Sequence, residues 1–263
     1  MEILVCVKQV PDDSVKIGLN SAGQPATDGV TLVANAFDTY ALEMATRFKE
    51  ANEGTITVMA IGPEKAKDAL KSCLAVGASK AYLVSDEAFN NADSLVTSYI
   101  ISKAVAKIEE LNGAKFDIIF CGKESTDCTT GMVGPELAEK LGLGCVTGAI
   151  DLKLNGDKLN VNQETEEGYN VVEVSMPAVL TVSKPEYDPR YPTMKSKMAA
   201  RKIPIDTLTG ADIGVEDDKL VPAVKVTALS EPPKKQAGVK INEKTLEDTM
   251  AKAMAVLAEA KVF

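Results

Sequence analysis

Phe116–Pro135 reads FDIIFCGKESTDCTTGMVGP. Phe116–Cys121 reads as a strand with both faces apolar, and a helical pattern running to about Leu141 follows the loop. Between them, Gly122–Pro135 holds three glycines, four hydroxyl side chains and one lysine. Backbone amides of such a turn, the positive end of the next helix and Lys123 would together bind a phosphate or pyrophosphate. It is not a Walker loop, because Lys123 follows Gly122 directly, and it is not G-x-G-x-x-G. On spacing alone a plain polar surface loop fits equally well. Its place directly behind a buried strand favours the ligand.

Outward from this stretch the same unit repeats. Ile3–Val7 is a short apolar run, and Asp38 is placed as the N-cap of a helix carrying Tyr40, Ala41, Met44, Ala45 and Phe48 on one face. Thr55–Ile61 is the next strand, ended by Gly62, with Pro63 opening a helix whose stripe is Ala66, Ala69, Leu70, Cys73 and Leu74. Ala81–Val84 precedes a long helix capped by Asp93 or Ser94, with apolar positions from Leu95 and Val96 to Ile108 and Leu111. Apolar strands alternating with helices predict a mostly parallel, doubly wound α/β sheet, with ligands outside the carboxyl ends of its strands. After Gly148, alternating runs broken by Asn155-Gly156 and Gly168, and then the apolar run Ala178–Val182, read as an antiparallel addition.

Composition narrows the chemistry. At 263 residues, 45% hydrophobic and 25% charged, the chain suits one large domain with an extension. No apolar run approaches the ~20 residues of a membrane span, and MEILVCVKQV is too short in its apolar part for a signal peptide, so a cytoplasmic protein is expected. A net charge of −9 argues against nucleic-acid binding. Cys6, Cys73, Cys121, Cys128 and Cys145 are odd in number and scattered, which suits reduced thiols, and no metal site is expected. The chain has no histidine, which excludes a histidine base, a catalytic triad and the usual zinc sites. No catalytic residue is assigned; a cofactor or another subunit must carry any reactive centre.

Three further segments carry readings of their own. VKQVPDDSVKI (Val7–Ile17), with Lys8, Gln9 and Asp12, reads as an ordinary strand exit. Lys184–Lys202 (KPEYDPRYPTMKSKMAARK) carries six basic residues interleaved with Tyr187, Tyr191, Met194 and Met198. In an acidic chain that mixture favours partner docking over a solvated charge run or core packing. The proline-punctuated stretch beyond ends in an amphipathic helix from about Glu243, with Leu246, Met250, Met254 and Leu257 on one stripe, and reads as an arm.

Together these residues resemble the β subunit of electron-transfer flavoproteins. The likeness spans essentially the whole chain and rests on VCVKQVPD (Val5–Asp12), NAFDTYALE (Asn35–Glu43), CGKESTDCTTGMVGP (Cys121–Pro135), EEGYNVVEVSMPAVLTV (Glu166–Val182) and PRYPTMKSKMAARK (Pro189–Lys202). It implies an adenine-nucleotide-binding, Rossmann-like domain over 1–190, a partner-recognition segment over 184–205, and an arm over 206–263 that wraps an α subunit carrying FAD. One branch of the family holds AMP in the β-subunit crevice. The electron-bifurcating branch holds a second FAD, which takes a hydride from NADH; one electron goes through the α-subunit FAD to a dehydrogenase, the other to ferredoxin or flavodoxin. The dehydrogenase would act on an acyl-CoA or a 2-hydroxy acid.

Carried over by position, the resemblance implies cofactor contacts at Cys6, Asn35, Asp38, Ile61, Gly122, Asp127, Thr130, Gly131, Met132 and Val133, and partner docking at Met194 with Arg190, Tyr191 and Lys195. Bifurcating relatives usually carry Asp-Gly-Asp-Thr-Ala-Gln where this chain has Asp127-Cys128-Thr129-Thr130-Gly131-Met132, and proline at Ala36, but Val133-Gly134-Pro135 and Glu136-Leu137-Ala138 match them. FAD, with NAD(H) as substrate, is the expectation. A structural AMP in a non-bifurcating carrier is the alternative, and a nucleotide-binding signalling module without redox role a second one.

Overall fold

The computed structural model describes residues 1–234 and 237–262. Two compact units divide the chain: Met1–Ile17 with Pro25–Thr227, and Gly18–Gln24 with Ala228–Phe263.

The first unit is built on βα repeats. Strand β1 (Glu2–Val7) leads through a small ladder, β2 (Gln9–Pro11) with β3 (Leu32–Ala34), into helix α1 (Ala36–Asn52). Then come β4 (Thr55–Ile61), α2 (Lys67–Leu74), β5 (Lys80–Val84), α3 (Ser94–Asn112), β6 (Ile118–Gly122) and α4 (Val133–Leu141). A meander of β7 (Gly144–Asn155), β8 (Lys158–Thr165) and β9 (Gly168–Ser175) precedes β10 (Ala178–Val182). Helix α5 (Met194–Ala200), β11 (Asp206–Leu208) and α6 (Gly210–Ile213) complete the unit.

Nine strands form one sheet in the order β11-β5-β4-β1-β6-β10-β7-β8-β9, antiparallel only at β7-β8 and β8-β9. The central strands are apolar on both sides because both sides are covered. Ile3, Val5 and Val7 face Ala41, Leu42, Met44 and Phe48 of α1. Leu4 and Cys6 belong to the opposite core with Ile100 and Ile108 of α3 and Leu137 and Ala138 of α4. Since β1 feeds a helix on one face and its neighbour β6 feeds a helix on the other, the chain reverses its winding between these two strands. That is where an open α/β sheet leaves a crevice.

Several expectations require correction. Ala178–Val182 is not part of the antiparallel addition; β10 lies parallel between β6 and β7, with all five residues buried. A run buried on both faces gains most in the interior of a parallel sheet. Residues 206–208, assigned to the arm, form instead the parallel edge strand beside β5, and residues to Thr227 belong to the first unit. Asp38 does not cap α1, which begins a turn earlier at Ala36 behind Asn35. Leu95 and Leu111 are exposed ends of the α3 stripe rather than core. Asp93 caps α3 as expected, its carboxylate accepting from the Val96 amide at 2.9 Å.

In the second unit, helix α7 (Leu246–Glu259) starts behind Thr245, whose hydroxyl accepts from the Asp248 amide at 3.1 Å. Leu246, Met250, Met254 and Leu257 are all exposed. Among the described residues no helix is long and apolar enough to cross a membrane.

Candidate functional site

The exits of β1 and β6 are tied together by two buried polar residues. Asn35 and Asp38 are 1% and 6% exposed, so their side chains serve the protein interior. Asp38 Oδ2 accepts from the Lys8 amide at 2.7 Å, and Oδ1 accepts from the Gly122 amide at 3.2 Å and from Asn35 Nδ2 at 3.0 Å. Asn35 Nδ2 also donates to the Glu124 carbonyl at 2.8 Å, and its Oδ1 accepts from the Thr126 amide at 3.1 Å. Burial pushes the Asp38 carboxyl up to about 7, although its three N–H donors pull the other way. The resemblance placed both residues against a ligand; they lie under the loop and hold it.

Glycine is required twice by close approach. A Cβ on Gly122 would sit 2.3 Å from Asp38 Oδ1, and one on Gly134 would sit 2.3 Å from Thr181 Cγ2. The absence of a side chain at Gly134 lets the first turn of α4 close on β10. Lys123 donates its amide to the Val182 carbonyl at 2.8 Å, fixing the loop's root to the same strand.

Beyond this anchored half the backbone turns outward. Thr129 and Gly131 adopt left-handed conformations (φ 53° and 63°), and Met132 returns to the right-handed region (φ −95°, ψ −28°). A left-handed residue followed by a right-handed one makes a concave nest of N–H groups. Among the described residues, none of the amides of Thr130, Gly131, Met132, Val133 and Gly134 donates to a protein acceptor. Five successive free amides at the start of a nine-residue helix are a donor set for an anion. The chemistry fits a phosphoryl group, and so fits AMP or the pyrophosphate of FAD.

Acidic residues in such a loop must be neutralised. Lys8 Nζ lies 2.7 and 2.8 Å from the two Asp127 oxygens, 3.4 Å from Ser125 Oγ and 3.6 Å from Cys128 Sγ. Burial opposes the Asp127 charge, but the hydrogen bonds from Lys8 and Ser125 outweigh it and hold the carboxyl below its usual range. Lys8 had read as a plain strand exit. The one legible signal was a lysine directly at the carboxyl end of the first strand. Lys123, expected to help the amides, instead directs its ammonium to Glu164 at 3.7 Å.

The remaining expected positions divide into two places. Cys6, next to last in β1, and Ile61, last in β4, lie beside the crevice, both packed with the core beneath α3 and α4. The neighbouring Cys6 thiol and burial push the Cys121 thiol well above its usual value. Met132 is exposed above the amide row and Val133 is half-buried.

The docking residues form a separate surface. Tyr191, Met194 and Met198 are 91%, 75% and 61% exposed, so core packing by the two methionines is ruled out, and Lys195 is exposed beside them. Arg190 is committed elsewhere. Its guanidinium pairs with Glu43, a carboxylate only 3% exposed, at 2.8 Å, and with Glu50 at 2.6 Å. It moors the segment to α1. No group of three or more potential metal ligands occurs among the described residues.

Comparison with known proteins agrees with this geometry. The profile of the Electron transfer flavoprotein domain matches residues 24–213. The chain is 40% identical over 250 residues to "Electron transfer flavoprotein subunit beta" of Megasphaera elsdenii, covering 91% of this chain and 90% of that one. It is 35% identical over 267 residues to "Caffeyl-CoA reductase-Etf complex subunit CarD" of Acetobacterium woodii, covering all of both chains. It is also 35% identical over 206 residues to "Acryloyl-CoA reductase electron transfer subunit gamma" of Anaerotignum propionicum, covering 78% of this chain and 76% of that one. A phosphate-ready crevice at the switch point of a parallel sheet, and relatives of this kind along nearly its full length, place the chain in the electron transfer flavoprotein family, as a β-type subunit with a role in electron transfer.

Proposed function

We propose that the crevice between β1 and β6 holds the adenine-nucleotide end of an FAD, and that the chain exchanges electrons with NAD(H) as half of a heterodimer with an FAD-bearing α subunit. The observation that carries this reading is the row of five unpartnered amides from Thr130 to Gly134. These amides would take the phosphates, with Cys6 and Ile61 beside the adenine side of the crevice, while Asn35, Asp38 and Gly122 keep the loop in place. The flavin, when bound, supplies hydride acceptance and single-electron release, chemistry that ordinary side chains do not supply themselves.

Val133-Gly134-Pro135 and the full-length likeness to a caffeyl-CoA reductase-Etf complex subunit support FAD and bifurcation, with ferredoxin or flavodoxin as the low-potential partner. That likeness, with the one to an acryloyl-CoA reductase electron transfer subunit, supports an acyl-CoA-type dehydrogenase over a 2-hydroxy-acid one. The dehydrogenase docks on the exposed Met194 with Tyr191 and Lys195, and the α7 stripe lies against the α subunit. The scattered thiols, five and unpaired, suit a cytoplasmic setting.

AMP remains the second reading, favoured by Thr129 and Met132 in place of a carboxylate and a glutamine. The deciding experiment is to co-express the chain with its α subunit, denature the purified heterodimer and count released nucleotides. Two FAD per heterodimer are expected. One FAD and one AMP would overturn the flavin in this crevice, and a stable homodimer without an α partner would overturn the assembly.

A further inference from the structure

The loop that presents the free amides contains Glu124 and Asp127, and a carboxylate beside a phosphate site repels the ligand. The first half of the loop is clamped by Asn35 and Asp38 through the amides of Gly122 and Thr126 and the carbonyl of Glu124. The Cys128 and Thr129 amides return to the Ser125 carbonyl, but from Asp127 onward the loop's side-chain tie to another element is the Lys8 ammonium. Its contacts are all spent inside the loop, on both Asp127 oxygens, Ser125 Oγ and Cys128 Sγ. Its backbone is equally fixed, the amide by Asp38 and the carbonyl by the Asn35 amide at 2.9 Å.

We propose that Lys8 is a positioning residue of the nucleotide site: paired with Asp127, it cancels that carboxylate's charge and holds the turn that aims the Thr130–Gly134 amides at a phosphoryl group. The proposal rests on the nucleotide reading given above. Lys8 acts on the phosphate through Asp127 and the loop and does not bind it directly. The pair therefore functions as a unit, and losing the lysine alone is worse than losing both partners.

The test titrates the heterodimer, stripped of bound nucleotide, with AMP and with adenosine by calorimetry, at low and at high salt. Lys8→Met keeps the aliphatic stem and leaves Asp127 uncompensated, and should weaken AMP about tenfold at low salt, less at high salt. Adenosine, which lacks the phosphate, should bind as to the unaltered protein. Lys8→Arg should hold AMP affinity within about threefold, since the charge is kept. Asp127→Asn in the Lys8→Met background should recover most of the loss.

Three results would overturn the proposal. If Asp127→Asn alone tightens AMP while the double variant stays as weak as Lys8→Met, the lysine touches the phosphate itself. If Lys8→Met weakens adenosine as much as AMP, its role is general folding. If the unaltered protein binds AMP but every Lys8 variant matches it, the pair has no role. Failure of the nucleotide reading looks different, because the unaltered heterodimer would then bind neither AMP nor FAD, and the proposal would fall with it.

Discussion

Gly134→Ala tests the join between α4 and β10 on which the amide row depends. The added methyl would start 2.3 Å from Thr181 Cγ2, whereas ordinary contact begins near 3.4 Å, so about 1.1 Å must be found. Thr181 cannot rotate its methyl away freely, because its hydroxyl accepts from the Gly148 amide at 3.1 Å and the residue is only 2% exposed. Helix α4 must therefore lift from the sheet. Overpacking of this kind costs about 1–3 kcal/mol, against about 1 kcal/mol gained by replacing glycine in a helix. A net loss of up to about 2 kcal/mol follows, a fall in Tm of up to roughly 4–8 °C for a chain of this size.

The control is Thr181→Ser, which removes the offending methyl and keeps the hydroxyl. The next atoms, Thr181 Cβ and Cys121 Cβ, lie 3.6 and 3.7 Å from the added carbon. In that background Gly134→Ala should cost nothing, or stabilise by up to about 1 kcal/mol. Urea and thermal melts of the four proteins give the coupling directly. Effects that add within about 0.5 kcal/mol would refute the close-approach argument. AMP affinity should follow stability, lost in the single variant and regained in the double.

Thr129→Gly should stabilise the chain by about 0.5–1 kcal/mol in a urea melt, since a β-branched residue at φ 53° is strained; a loss of stability would mean the threonine side chain is needed there. Arg190→Met should cost about 1–2 kcal/mol by leaving Glu43 with Arg47 alone. Burial raises the Glu43 pKa, but Arg190 and Arg47 outweigh it and depress it, so the stability it contributes is present above the unfolded carboxyl value near 4.5 and lost as pH falls below it. The variant should show a shallower acid-side loss, and equal slopes between pH 5 and 3 would count against the clamp. Met194→Ala should leave thermal stability and nucleotide content unchanged while weakening electron delivery to the dehydrogenase by about 1–3 kcal/mol. Loss of nucleotide on that substitution, or unchanged electron delivery, would refute the docking role of Met194.

The parallel core was legible because β1, β4 and β6 are continuous apolar runs, each followed by a helix with a single stripe. The same signal misled at β10. An apolar run arriving after a meander fits either its edge or the middle of the sheet, and only the gap left between β6 and β7 decides. Three residues of β11 amid prolines carry no period to read. At the site, the glycines and hydroxyls of the loop read as a phosphate cradle, while the free amides themselves depend on a backbone conformation that residue types do not spell out. What stayed hidden was partnership across the sheet. A carboxylate near a helix start, Asp38, reads as a cap unless one knows that β6 runs alongside. The reach of Lys8 to Asp127 spans 119 positions of chain, beyond any local pattern.

The position of β10 also sets a schedule for biosynthesis. The loop after β6 is anchored on a strand made some sixty residues later: Val182 receives the Lys123 amide and Thr181 backs Gly134. While a ribosome is still adding the meander, the sheet has an open slot beside β6 and the amide row has no rear wall. A nucleotide held by these amides, as proposed above, would therefore be captured only after residue 182 has left the exit tunnel, and a chain stalled within β7–β9 would not acquire it whatever the supply.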